Sequence, residues 1–152
     1  MHQVAQLVVA LSATSGNKLR LQRHVWEPIL LPMVRCRLRR FRSTDLARVL
    51  SGLCVRLGCQ IGNERVVRKI LLPACAMALD GCTRPSELTD MALGLAMHTS
   101  LQDRNHFKGP GERWRKCFWE RAEAVSLTCS DASEVHMLRE AGMKLLGQDP
   151  ET

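Results

Sequence analysis

Apolar residues recur along the chain at helical spacing, and strand-like alternation is almost absent. Leu46, Val49, Leu50, Leu53, Cys54 and Leu57 fall at i, i+3, i+4, i+7, i+8 and i+11, which places an unbroken apolar stripe on one face of a helix. Leu88, Met91, Ala92, Leu95 and Ala96 repeat the pattern, as do Val4, Leu7, Val8 and Leu11. The three segments share one register. Val4, Leu46 and Leu88 correspond, as do Leu7, Val49 and Met91; Ala10, Gly52 and Gly94; and Leu11, Leu53 and Leu95, so the period is 42 residues.

The stretches between these helices repeat as well. Ile29-Leu30-Leu31-Pro32 returns as Ile70-Leu71-Leu72-Pro73, 41 residues on. Trp114, Cys117, Phe118 and Val125 supply the apolar face of the third such stretch, after a loop over 103–111. A fourth helix of the first type follows, with Val135, Leu138, Gly142 and Leu145 on its stripe and a candidate capping box, Asp131 to Glu134, at its start. Ser43 to Asp45 offer capping and acidic first-turn residues, Pro85 suits a first turn, and Gly58, Gly62 and Gly81 mark helix ends.

Helices are expected over 2–14, 18–40, 44–57, 63–80, 85–99, 110–127 and 132–146. Pro28, Pro32 and Pro73 lie inside helices of the second type and should kink or interrupt them. The predicted fold is all-α: a right-handed stack of about three and a half helical hairpins, an alpha-solenoid. One domain spans 1–146, in units of about 1–42, 43–84, 85–130 and a partial 131–146, with 147–152 as a tail. The first apolar helix has no polar element before it. The chain is therefore expected to be part of a longer array or to be covered at that end by a partner.

Charge adds direction. The 152 residues hold 22 Lys and Arg against 15 Asp and Glu, a formal +7. Residues 1–76 carry a net +10 and residues 77–152 a net −3, so a polyanion-binding surface belongs mainly to the first half. Five arginines crowd into 35–42. Candidate phosphate contacts are Arg20, Arg23, Arg35, Arg37, Arg39, Arg40 and Arg42 in the first unit, Arg65, Arg68 and Lys69 in the second, and Arg113, Arg115 and Lys116 in the third. Such cationic stems also cover apolar helix surface. Three Phe, three Trp and no Tyr are too few for a broad stacking platform. Trp114, Phe118 and Trp119 are expected in the core or at an interface.

Chemistry for catalysis is not predicted. Nucleotide-binding glycine loops, zinc-protease and nucleophile-elbow motifs do not occur, and the five histidines are isolated and expected on the surface. Seven cysteines, none in a Cys-x-x-Cys pair, read as small buried hydrophobes in a reducing compartment. A non-enzyme without cofactor or metal is expected, and no run of residues is apolar enough to span a bilayer.

The segment Asp45-Leu46-Ala47-Arg48-Val49-Leu50-Ser51-Gly52-Leu53-Cys54-Val55-Arg56-Leu57-Gly58 resembles the octotricopeptide and heptatricopeptide repeats and the FAST-kinase-like repeats. Arg84-Pro85-Ser86-Glu87-Leu88 is similar to their openings. The resemblance implies RNA binding in a mitochondrion or, as second choice, a plastid. It extends to organellar ribosomal subunits that hold rRNA among neighbouring proteins of a large complex. An armadillo- or HEAT-like adaptor for an acidic protein partner is the alternative. Residues 1–26 lack acids and contain Lys18, Arg20 and Arg23, like a transit peptide, but the first helix fits the repeat register, so any cleaved segment is expected upstream.

Overall fold

The structure, a computed structural model, describes residues 2–13, 23–101 and 112–146. They form α1 (His2–Ala13), α2 (Arg23–Arg37), α3 (Ser43–Val49, continuing as Leu50–Arg56), α4 (Glu64–Val66, Val67–Leu71 and Leu72–Leu79), α5 (Pro85–Ala96), α6 (Glu112–Leu127) and α7 (Ala132–Leu146). A single 3-10 turn, Thr99–Leu101, follows α5. No strand occurs among the described residues, so the protein is all-α.

Helices of the first type pack in chain order: α1 on α3, α3 on α5, α5 on α7. The second type forms a further layer in which α4 packs on α3, and α6 packs on α4, α5 and α7. The stripes explain the order. Leu46, Val49, Leu50, Leu53, Leu88, Met91 and Leu95 are fully buried, each contributing about 1.5–3 kcal/mol against its exposed state. Between α3 and α5 the approach is close enough that a Cβ at Gly94 would lie 2.6 Å from the Leu50 Cβ. Phe118 is the hub of the third hairpin, stacked on Trp114 with ring centroids 5.5 Å apart and edge-on to Trp119. The expected core role of these rings holds, with Trp119 and Ala122 buried; Cys117, placed on the apolar face by its spacing, is instead exposed.

Several local expectations change. Helix α2 runs through both Pro28 and Pro32 without a break. In α4 the turns widen over Val67–Leu71 just before Pro73, and in α3 they widen over Leu50–Arg56, where the Leu57 N–H reaches back to Gly52 at 3.1 Å. That widened end closes through Gly58, whose φ of 71° is a left-handed value open to glycine. Ser43 does not cap α3. Its hydroxyl donates to the Ala78 carbonyl at 2.7 Å and ties the start of α3 to the end of α4. Of the expected capping box on α7 the Asp131 half forms, its carboxylate accepting from the Ser133 and Glu134 N–H groups, while the Glu134 carboxylate accepts from the Cys129 thiol. The loop 103–111, Arg20 and the tail 147–152 lie outside the described residues.

Candidate nucleic-acid interface

The second-type layer carries the predicted basic residues. Arg23, Arg35 and Arg37 are on α2, Arg39, Arg40 and Arg42 on the connection to α3, Arg65, Arg68 and Lys69 on α4, and Arg113, Arg115 and Lys116 on the first turns of α6. The connection runs beside α4. Arg39 donates from its guanidinium to the Lys69 carbonyl at 3.4 Å, and four residues later Ser43 reaches Ala78, so the first two clusters share one surface. Pro73 explains the first contact, because it lacks the N–H that would bond the carbonyl four residues earlier. Helix α6, which carries the third cluster in its first turns, packs on Leu72–Leu79 of α4.

These cations divide into two kinds. Arg23 is paired with Glu27, Arg68 with Glu64 at 3.4 Å and Lys116 with Glu120 at 4.0 Å, each one turn away on its own helix. Arg37 donates to the Met33 carbonyl at 3.0 Å. Burial and the Glu27 hydrogen bond act in opposite senses on Arg23, with the hydrogen bond larger and its charge more firmly held. By contrast, the exposed guanidinium groups of Arg35, Arg40, Arg42, Arg65 and Arg113 engage no other group among the described residues. They are available to a phosphate backbone without first breaking an internal contact.

Several of the thiols belong to the core. Cys54, Cys59, Cys75 and Cys82 are buried; Cys36 and Cys117 are exposed, which corrects the expectation that all seven are buried. Burial pushes the Cys54 and Cys75 thiols well up, Cys82 up to about 12 and Cys59 up as well, so all four stay protonated at neutral pH. No group of three His, Cys, Asp or Glu is placed to hold a metal ion among the described residues. No helix there is long and apolar enough to cross a membrane.

No family model, curated protein or solved structure matches the chain.

His98 is the residue that sequence reasoning misplaced. It is fully buried rather than on the surface, with Nδ1 donating to the Gly94 carbonyl at 2.9 Å and Nε2 accepting from the Ile61 N–H at 3.0 Å. That pattern requires the neutral ring, and desolvation lowers its pKa. His98 extends the stripe Leu88, Met91, Leu95 by three residues, a signal present in the spacing. Gln60 completes the joint by accepting from the Thr99 N–H and hydroxyl.

Proposed function

We propose that the protein is a structural RNA-binding protein built as a right-handed solenoid of helical hairpins, an organellar ribosomal subunit that holds rRNA through its second-type layer. A mitochondrial matrix fits the resemblance best, a plastid second. The observation that carries the reading is the set of five exposed arginines, Arg35, Arg40, Arg42, Arg65 and Arg113, which engage no other group among the described residues while Arg37, Arg68 and Lys116 near them are tied down. Four of the five lie in the first two units, where the chain holds its excess of positive charge.

Phosphate is the natural counterpart. Arginine presents a planar fork of donors that matches phosphate oxygens and stacks on unpaired bases. Aromatic rings add little here, because Phe118 and Trp119 are consumed by the core. Binding is accordingly dominated by counterion release and falls steeply with salt.

The test is RNA affinity across a salt series, for the native chain and for Arg40→Glu/Arg42→Glu/Arg65→Glu. The triple variant should lose at least about tenfold in affinity, and its log–log salt slope on single strands should be shallower by about 2, at about 0.7 per phosphate contact. Unchanged affinity and slope would remove this surface as the RNA contact and favour the armadillo-like adaptor. Sedimentation of the native protein from lysed organelles, with and without ribonuclease, tests the ribosomal part. Migration with a large particle and crosslinks to rRNA is the expected outcome.

A further inference from the structure

The three first-type helices after α1 open on related sequences. Arg42-Ser43-Thr44-Asp45-Leu46 begins α3, Arg84-Pro85-Ser86-Glu87-Leu88 begins α5, and Asp131-Ala132-Ser133-Glu134-Val135 begins α7. The leading residue of each stands just outside its helix, and its carbonyl already accepts a hydrogen bond from the first turn. A side-chain oxygen is what that position rewards, because the first N–H groups of a helix lack partners. Asp131 supplies one, accepting from Ser133 and Glu134. Arginine has no acceptor to offer, and its charge opposes the positive end of the helix dipole. Neither Arg42 nor Arg84 makes a side-chain capping bond. Both are exposed, and neither guanidinium engages another group among the described residues.

The fold brings the two together. Ser43, next to Arg42, donates to the Ala78 carbonyl at 2.7 Å, and a Cβ at Gly81 would run into its hydroxyl. One residue on, the Thr44 hydroxyl donates to Glu87 at 2.8 Å. Residues 42–44 therefore lie alongside 81–87, with Arg42 and Arg84 separated by about one helix spacing, 8–10 Å. From its other side the 81–84 connection is held by Arg121, whose guanidinium grips the Cys82 carbonyl. The acids nearby leave both arginines unpaired. Asp45 is buried, Glu87 is taken up by Thr44, Thr83 and the Arg84 N–H, and Asp80 is exposed without an ion pair among the described residues.

We propose that Arg84 joins Arg42 as a phosphate contact, so that one RNA strand passes from the connection before α3 onto the start of α5. The proposal rests on the RNA reading above and adds to it a residue from the acidic half of the chain. Its warrant is the repeated departure from helix chemistry: two successive openings hold a cation where an acceptor would stabilise the helix, and the third, with Asp131, shows the stabilising choice in the same chain. Arg40, two residues before Arg42, leads the strand in. Asp131 ends the track, since a carboxylate in the equivalent place repels phosphate.

Arg84→Asp, which copies the opening of α7, separates binding from folding. Its affinity for single-stranded RNA should fall at least about threefold, with a log–log salt slope shallower by about 0.7. Its unfolding midpoint should rise by about 2–4 °C, because the aspartate caps α5. Arg139→Asp, at an exposed arginine of α7, controls for overall charge and should change affinity by less than about 1.5-fold. Equal losses for the two variants would overturn the contact, leaving only long-range attraction. A lowered midpoint would overturn it as well, by showing that Arg84 serves the helix. If Arg40→Glu/Arg42→Glu/Arg65→Glu loses affinity and Arg84→Asp does not, the extension to α5 fails alone. If neither loses affinity, the RNA reading fails and takes this proposal with it.

Discussion

The two halves of the molecule are built on one packing pattern and finished with different surfaces. In α1 to α4 the cations outnumber the acids, several guanidinium groups have no partner among the described residues, and aliphatic side chains reach solvent at the outer end. In α5 to α7 the Arg121 guanidinium holds the Cys82 carbonyl through two hydrogen bonds, at 2.6 and 3.0 Å, and Lys116 faces Glu120, while Arg113 at the start of α6 stays exposed. Glu87 caps the start of α5, accepting from the Thr83 and Arg84 N–H groups, and its second oxygen accepts from the Thr44 hydroxyl of the preceding hairpin. The buried stripes alone decide the stacking. The exposed positions are then free to differ, and the first half carries the excess of cations.

The sharpest way to break that comparison is at one register position. Met91→Ala should cost about 2–5 kcal/mol, as for other fully buried large-to-small changes, and Leu7→Ala less than about 1 kcal/mol. Chemical denaturation of both variants measures the difference; equal costs would mean that the outer face of α1 is not open. Next in size are the arginines. Arg121→Ala should destabilise by about 2 kcal/mol through the lost charged hydrogen bonds, whereas Arg40→Ala should stay within about 0.5 kcal/mol and act on RNA affinity instead.

Two smaller effects concern pH and have opposite signs. His98 has a lowered pKa in the fold, so its contribution is fully present above its ordinary value of 6.5 and is lost as pH falls below that. Unfolding midpoints between pH 7.5 and 5 should fall, and His98→Gln should flatten that part of the profile. Asp90 on α5 runs the other way. Desolvation raises its carboxyl to about 6, with Arg56 opposing and Glu87 reinforcing the shift, so holding it ionised above pH 6 costs stability and the cost disappears toward its ordinary 3.8. Asp90→Asn should stabilise the protein slightly at pH 7.5 and not at pH 4.

Helix positions were legible because each first-type helix buries a stripe at fixed spacing, and the Leu88 and Leu46 stripes are continuous enough to leave no competing register. The widened turns at Leu50–Arg56 and Val67–Leu71 were not, since a shift from i+4 to i+5 bonding leaves the apolar pattern nearly unchanged. Sequence spacing also located the basic clusters but could not sort them. Whether an arginine is spare depends on which carbonyl lies within reach: Arg39 is drawn to Lys69 by a proline four residues further on, whereas its neighbour Arg40 is left exposed. His98 was missed because a polar residue at the end of a stripe resembles a boundary, although Ile61 and Gly94 offer it one acceptor and one donor role.

The prolines of the second-type layer carry a mechanical consequence. Bending a helix at Pro28, Pro32 or Pro73 stretches no hydrogen bond from that residue's nitrogen, because it has none to stretch. Helix α6 contains no proline and is braced by Arg121. Stiffness therefore increases along the layer from α2 to α6. Four of the five exposed arginines, Arg35, Arg40, Arg42 and Arg65, lie toward the compliant end, where the helices can adjust their shape at little cost in backbone hydrogen bonds.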